Sequence, residues 1–109
     1  MGISVAKPQA ELEKDVLDLA QATAAEIDAR VDPASIIVDD SYVGEGYAVR
    51  TPGCEEAVAL FAQRLGIFLD YVYTGKAAAG LIDYLHQGRF DKGANVLFIH
   101  TGGNIELFE

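Results

Sequence analysis

Cysteine, tryptophan and basic side chains are all scarce in this chain. Among its 109 residues there is one Cys and no Trp, and 8 Lys+Arg stand against 17 Asp+Glu, a formal net charge of -9. A single thiol, Cys54, permits neither an internal disulfide nor a cysteine-based metal site. The default location of such a chain is a reducing cytoplasm. The shortage of cations argues against nucleic acid, whose phosphate backbone requires clustered Lys and Arg, and against an anionic membrane surface. No apolar run approaches the roughly 20 residues needed to span a bilayer. Met1-Gly2-Ile3-Ser4-Val5 is not a signal peptide, because a polar, acidic stretch follows almost at once.

What is present is apolar surface to bury. Half of the residues are hydrophobic, which excludes intrinsic disorder. The length suits one domain, residues 1–109, with one modest core and no room for separate cofactor and substrate domains. No internal repeat, low-complexity segment or linker interrupts it.

Ile3-Ser4-Val5-Ala6 reads as a short strand closed by Pro8. Residues 9–28 read as a helix, with Leu12, Val16, Leu19, Thr23 and Ile27 spaced by three and four along one face. Early Glu11, Glu13, Asp15 and Asp18 suit the positive end of its dipole. Asp32-Pro33 breaks the chain. Ile36-Ile37-Val38 reads as a strand buried on both faces. Thr51-Pro52 opens a second helix as cap and first turn. Val58, Phe61, Ala62 and Leu65 form its inner face, and Gly66 ends it. After the apolar Ile67-Phe68-Leu69, a third helix runs from about Lys76 to Gln87, with Thr74 as its cap. Its inner stripe is Ala78, Leu81, Ile82 and Leu85, and Gly88 stops it. Asn95 to His100 is the clearest strand by pattern. Buried-type strands alternating with helices predict a three-layer α/β/α fold with a mostly parallel sheet. Ligands of such sheets bind beyond the strand C-terminal ends, which places the loops Asp39–Arg50 and Thr101–Asn104 at the expected edge.

Most single motifs there have a plain structural reading. Gly44-Glu45-Gly46 lacks the third Gly of a dinucleotide fingerprint and reads as a tight turn. Gly75-Lys76 fails as a phosphate loop, because Asp70 stands where its first Gly belongs and Ala77 where Ser or Thr belongs. His86 suits a helix C-terminus. His100, at the ligand edge, is a possible base but reads first as a hydrogen-bonded structural histidine, since no nucleophile pairs with it. Two histidines without ligand spacing offer no metal site. Asp39 and Asp40 point to opposite faces of an extended chain and read as turn residues. Cys54 at a helix start invites a lowered pKa, yet without a partner base it reads as packing. Thr101-Gly102-Gly103 lets a ligand approach closely and offers a hydroxyl. Tyr42, Tyr47, Tyr71 and Tyr73 crowd two loops, where phenols donate, accept or stack.

Taken in order, three segments are similar to one family. Asp39-Asp40-Ser41-Tyr42-Val43-Gly44-Glu45-Gly46-Tyr47, then Asp70-Tyr71-Val72-Tyr73-Thr74-Gly75-Lys76-Ala77-Ala78-Ala79-Gly80-Leu81-Ile82, then Val96-Leu97-Phe98-Ile99-His100-Thr101-Gly102-Gly103 resemble the C-terminal part of the D-cysteine desulfhydrase and 1-aminocyclopropane-1-carboxylate deaminase family. These are pyridoxal 5′-phosphate enzymes of the tryptophan-synthase-β type. The likeness covers essentially the whole chain. It implies that the cofactor acts as an electron sink on an amino-acid substrate, with 2-oxo acid and ammonia as products. It implies catalytic roles for Tyr47 and Tyr73 and cofactor-binding positions at Thr74, Thr101 and Gly102. Thr at 74 and 101 resembles the desulfhydrase branch; the deaminases carry Glu and Leu there. A hydroxyl supports the cofactor ring less than a carboxylate does, and loss of a thiolate needs less support than ring opening.

The departures bear on activity. Tyr71 stands where the family has Pro. The resemblance places the Schiff-base lysine and the Gly-rich phosphate loop in an N-terminal portion, and nothing in this chain matches either. Lys76 matches a different family lysine. The reading is therefore part of the large domain of such an enzyme, inactive alone and dependent on that N-terminal portion or on a homodimer partner. The reading from another class is a free-standing, non-catalytic α/β module that dimerises or binds a small ligand at the Tyr47, Tyr73 and Thr101 edge. A small α/β hydrolase ranks last, for want of a Gly-x-Ser-x-Gly elbow.

Overall fold

The computed structural model of the chain describes residues 1–103, 105 and 108; Asn104, the last residue of the predicted 101–104 loop, lies outside them. The elements run β1 (Gly2–Ile3), α1 (Gln9–Glu26), a single 3-10 turn (Pro33–Ser35), β2 (Val38–Asp39), α2 (Pro52–Leu65) and α3 (Thr74–His86). β1 and β2 pair in parallel, Gly2 opposite Val38 and Ile3 opposite Asp39. Gly2 N–H donates to Ile37 O and Ser4 N–H to Asp39 O, both at 2.8 Å. The α/β character and the parallel pairing are thus present, on a sheet of two short strands. Among the described residues no helix is long and apolar enough to cross a membrane.

Local chemistry sets the helix ends. Thr51 Oγ1 accepts from Cys54 N–H, Pro52 occupies the first turn, and Gly66 closes α2 at φ +66, as its sequence predicts. α1 begins after Pro8, and the Asp40 carboxylate accepts from Gln9 N–H at 2.8 Å, so Asp40 caps a helix distant in sequence. The 3-10 turn is capped by Asp32, which accepts from Ala34 N–H at 3.0 Å.

The core lies between α2 and α3. Cys54, Ala57, Val58 and Phe61 meet Leu69, Ala78 and Ala79 there. Gly75 makes the approach possible: a Cβ on it would stand 2.8 Å from Cys54 Sγ and 2.9 Å from Val58 Cγ2, and closer still to Asp70 O. Gly80 does the same toward β1, where a Cβ would meet Ile3 and Tyr42.

Several expectations need correction. Residues 95–100 form no strand. A strand exists through its ladder, and among the described residues no neighbour pairs with this segment. Leu97 is 84% and Ile99 72% exposed, while Phe98 packs on Phe61 with ring centroids 5.6 Å apart. The strand at 36–38 shifts to Val38–Asp39, and it is not buried on both faces: Val38 is buried and Ile37 is exposed. α1 is two residues shorter than predicted, ending at Glu26. Its predicted inner stripe is largely uncovered, Leu19 at 70% and Ile27 at 72% exposure, because periodicity shows which face is apolar and not what packs on it. Leu65 and Leu85 are likewise exposed. α3 starts at Thr74, which is helical rather than a cap.

Candidate active site

The predicted site residues gather around the start of α3. Asp70, fully buried, stands four residues before the first helical residue and takes over the capping role. Its Oδ2 accepts from Val72 N–H (2.7 Å) and Tyr73 N–H (2.6 Å), and its Oδ1 from Thr74 N–H (2.8 Å) and Thr74 Oγ1 (2.6 Å). In return Thr74 Oγ1 accepts from Asp70 N–H at 3.0 Å. Burial alone would raise the Asp70 carboxyl pKa, but the Thr74 hydroxyl and the backbone N–H groups of Tyr73, Thr74 and Val72 outweigh it and hold it below its ordinary value. The predicted cofactor-side hydroxyl of Thr74 is therefore 2% exposed and bonded to Asp70 in both directions.

Tyr73 and Tyr47 meet next to this cap. Their hydroxyls share a hydrogen bond and their rings stand edge to face, with centroids 6.0 Å apart. Both phenols are partly open to solvent, Tyr47 at 54% and Tyr73 at 37%. On the other side, a Cβ on Gly103 would lie 2.7 Å from Asp70 Oδ1, and Gly103 itself has φ +92, so only glycine lets the 101–103 loop close on the carboxylate. His100 fastens that loop. Its Nδ1 accepts from Gly102 N–H at 3.1 Å and its Nε2 lies 2.9 Å from Phe68 O. That pairing leaves Nε2 as the donor. Thr101, between them, is exposed, and Gly102 stands at φ +100 with open space where a Cβ would be. The structure thus joins Tyr47 to Tyr73 directly and draws Thr74 and the Thr101–Gly102 loop together through Asp70.

Sequence reasoning missed three supports. Asp70 carried a signal, an acidic residue just before a helix start. Lys76 carried none: it is a cation in the first turn of a helix, where the dipole disfavours it, yet it is fully buried and its Nζ donates to Val43 O (2.7 Å) and Gly46 O (2.9 Å). Arg50 stacks over Tyr71, its guanidinium carbon 3.9 Å from the ring centroid. Cys54 is a core residue: burial raises its thiol pKa, and Sγ donates to Tyr71 O at 3.2 Å.

A family model described as pyridoxal-phosphate dependent enzyme matches residues 3–102, and the chain belongs to that family. It is similar to three proteins named D-cysteine desulfhydrase, from Salmonella paratyphi C (strain RKS4594), Salmonella choleraesuis (strain SC-B67) and Salmonella newport (strain SL254), at 44% identity over 108 residues in each case. Each alignment covers 99% of this chain and 33% of the relative. The chain therefore spans about a third of the length of the curated relatives it matches. The resemblance seen in the three ordered motifs and the family's pyridoxal phosphate both follow from these matches.

Two features of the 101–103 loop are compatible with such a group: Thr101 is exposed, and a Cβ on Gly102 would meet nothing within 4 Å among the described residues. The lysines do not complete a site for that group. Lys76 is held by two carbonyls, Lys7 and Lys14 pair with carboxylates along α1, and Lys92 sits in an exposed turn.

Proposed function

We propose that this chain supplies one side of the active site of a cytoplasmic, pyridoxal-phosphate-dependent D-cysteine desulfhydrase that converts D-cysteine to pyruvate, sulfide and ammonia. The covalent lysine and the phosphate loop come from the portion of the enzyme outside these residues, against whose sheet the 95–100 segment pairs to complete a three-layer α/β/α domain. The observation that carries the reading is the hydroxyl-bonded Tyr47–Tyr73 pair standing beside the Asp70–Thr74 cap and its Gly103 lid, within a chain whose relatives bear that activity in their names.

Bound pyridoxal phosphate supplies an electron sink for the amino acid. The chain's own residues orient and move protons around it. In the tyrosine pair one phenol donates to the other, and the accepting phenol carries a second O–H. Being hydrogen-bonded already makes that second O–H a better donor. Tyr73, on the rigid helix start, holds the proton at its Oη, and Tyr47 is the partner that replenishes it. Thr101 would help to hold the cofactor through its exposed hydroxyl, while Thr74 acts through Asp70 by fixing the first turn that carries Tyr73. Thr at positions 74 and 101, where the deaminases carry Glu and Leu, supports the desulfhydrase branch over the deaminase branch.

The test is a chimera in which these residues replace the corresponding third of the Salmonella paratyphi C relative. Retention of cofactor absorbance and sulfide release from D-cysteine are expected. A folded, cofactor-loaded chimera that releases no sulfide overturns the reading and favours the non-catalytic module. Sulfide released by the isolated chain with added pyridoxal phosphate overturns the assignment of the lysine to another portion.

A further inference from the structure

The loop that carries Tyr47 is tied to the helix that carries Tyr73 by one buried cation. Lys76 lies three residues after Tyr73, in the first turn of α3, with no exposed surface. Its Nζ bridges the carbonyls of Val43 and Gly46, which bracket Gly44-Glu45 and immediately precede Tyr47. One α3 face makes a second tie: seven residues on, Asp83 accepts from Tyr42 Oη at 2.6 Å, and between them a Cβ on Gly80 would meet Tyr42 at 3.3 Å. The loop is pressed from the other side too, because a Cβ on Gly44 (φ +70) would collide with the Thr51 methyl. Ala48, directly after Tyr47, holds φ +61, a conformation that L residues leave unless they are held in it. The buried ammonium is unfavourable at the positive end of a helix dipole, so its position is explained by what it grips rather than by the helix.

We propose that Lys76 is a positioning residue that sets the Tyr47 hydroxyl against Tyr73, a role resting on the reading of those two phenols as the proton-handling pair. Removing the ammonium frees the 43–46 backbone and separates the phenols without touching either one.

The measurement is the resonance of fluorotyrosine placed at position 47 of the full chain. In Lys76→Met it should move toward its value in Tyr73→Phe, while amide protection in α2 and α3 stays unchanged. Lys76→Gln is the second variant, one atom too short to bridge both carbonyls and less severe on folding. An unmoved resonance in either folded variant overturns the proposal. In the chimera, Lys76→Met should lower kcat about tenfold or more with little change in KM, the scale of a small misplacement of reacting groups. In a Tyr47→Phe background the same change should add less than about twofold, because the two residues act as one unit. Equal losses in both backgrounds overturn it. An inactive parent chimera counts against the desulfhydrase reading alone, and the resonance still decides Lys76.

Discussion

Asp70 and Thr74 hold each other from both ends: the Thr74 hydroxyl accepts from Asp70 N–H at 3.0 Å and donates to Asp70 Oδ1 at 2.6 Å. With the three backbone N–H groups on the same carboxylate, this exchange stands in for the side-chain cap that Tyr73, the nominal cap residue, does not supply. Everything proposed for the site hangs on it, since it aims the first turn of α3.

Asp70→Asn should therefore destabilise the chain by about 2–3 kcal/mol, because an amide turns donors toward donors in a buried place. Thr74→Ser should cost less than about 1 kcal/mol, since the hydroxyl is retained. Urea unfolding of the two variants checks the ordering, and an Asn variant as stable as the parent would refute the cap.

The same carboxylate makes stability depend on acid. Its folded pKa lies below the 3.8 of a free carboxyl, as do those of Asp39 and Asp83. For a lowered carboxyl, the contribution is complete above the unfolded value and disappears as pH falls through the folded one. Stability should hold from neutrality down to about pH 4 and fall below it, and Asp70→Asn should flatten that fall. Chemical denaturation across an acid series decides this.

At the alkaline end, burial and the hydrogen bond to Asp39 push the Tyr84 phenol up to about 12. Burial and Asp83 raise Tyr42 as well. These neutral phenols contribute below the ordinary tyrosine value of 10.0, and the contribution is lost as pH rises through their folded values. An ultraviolet titration should show late-ionising phenols, and Tyr84→Phe should remove one of them.

Two glycines in neighbouring helices should respond oppositely to alanine. Gly75→Ala places a methyl against Asp70 O, Cys54 Sγ and Val58 Cγ2, and should cost about 1–3 kcal/mol or more through overpacking. At Gly53 a Cβ would sit 3.7 Å from Ala79 Cβ, an ordinary contact, so Gly53→Ala should be neutral or stabilise by up to about 1 kcal/mol. Thermal melts of the pair test this, and equal effects would contradict the close approach of α2 and α3.

On activity, Tyr73→Phe in the chimera should reduce kcat by roughly 10²-fold or more, the range of a lost acid–base group, with cofactor absorbance unchanged. Unchanged turnover would remove Tyr73 from the chemistry.

What the sequence by itself determined was local. Thr51, Pro52 and Gly66 marked the ends of α2 because caps and left-handed turns act within a few residues. The ordered motifs around Tyr47, Tyr73 and Thr101 placed the chain in its family, confirmed by the match over residues 3–102. Periodicity marked apolar faces but overreached at Leu19, Ile27 and residues 95–100, where burial and strand pairing depend on neighbours distant in the fold. Only the tertiary structure decided which polar groups are buried. Nothing in the residue order reveals that Lys76 is fully enclosed while Lys7, just before α1, and Lys14, on it, are exposed. A buried charge is tolerable only where distant partners meet it, and Val43 O and Gly46 O reach Lys76 only once the 43–46 loop has folded onto α3.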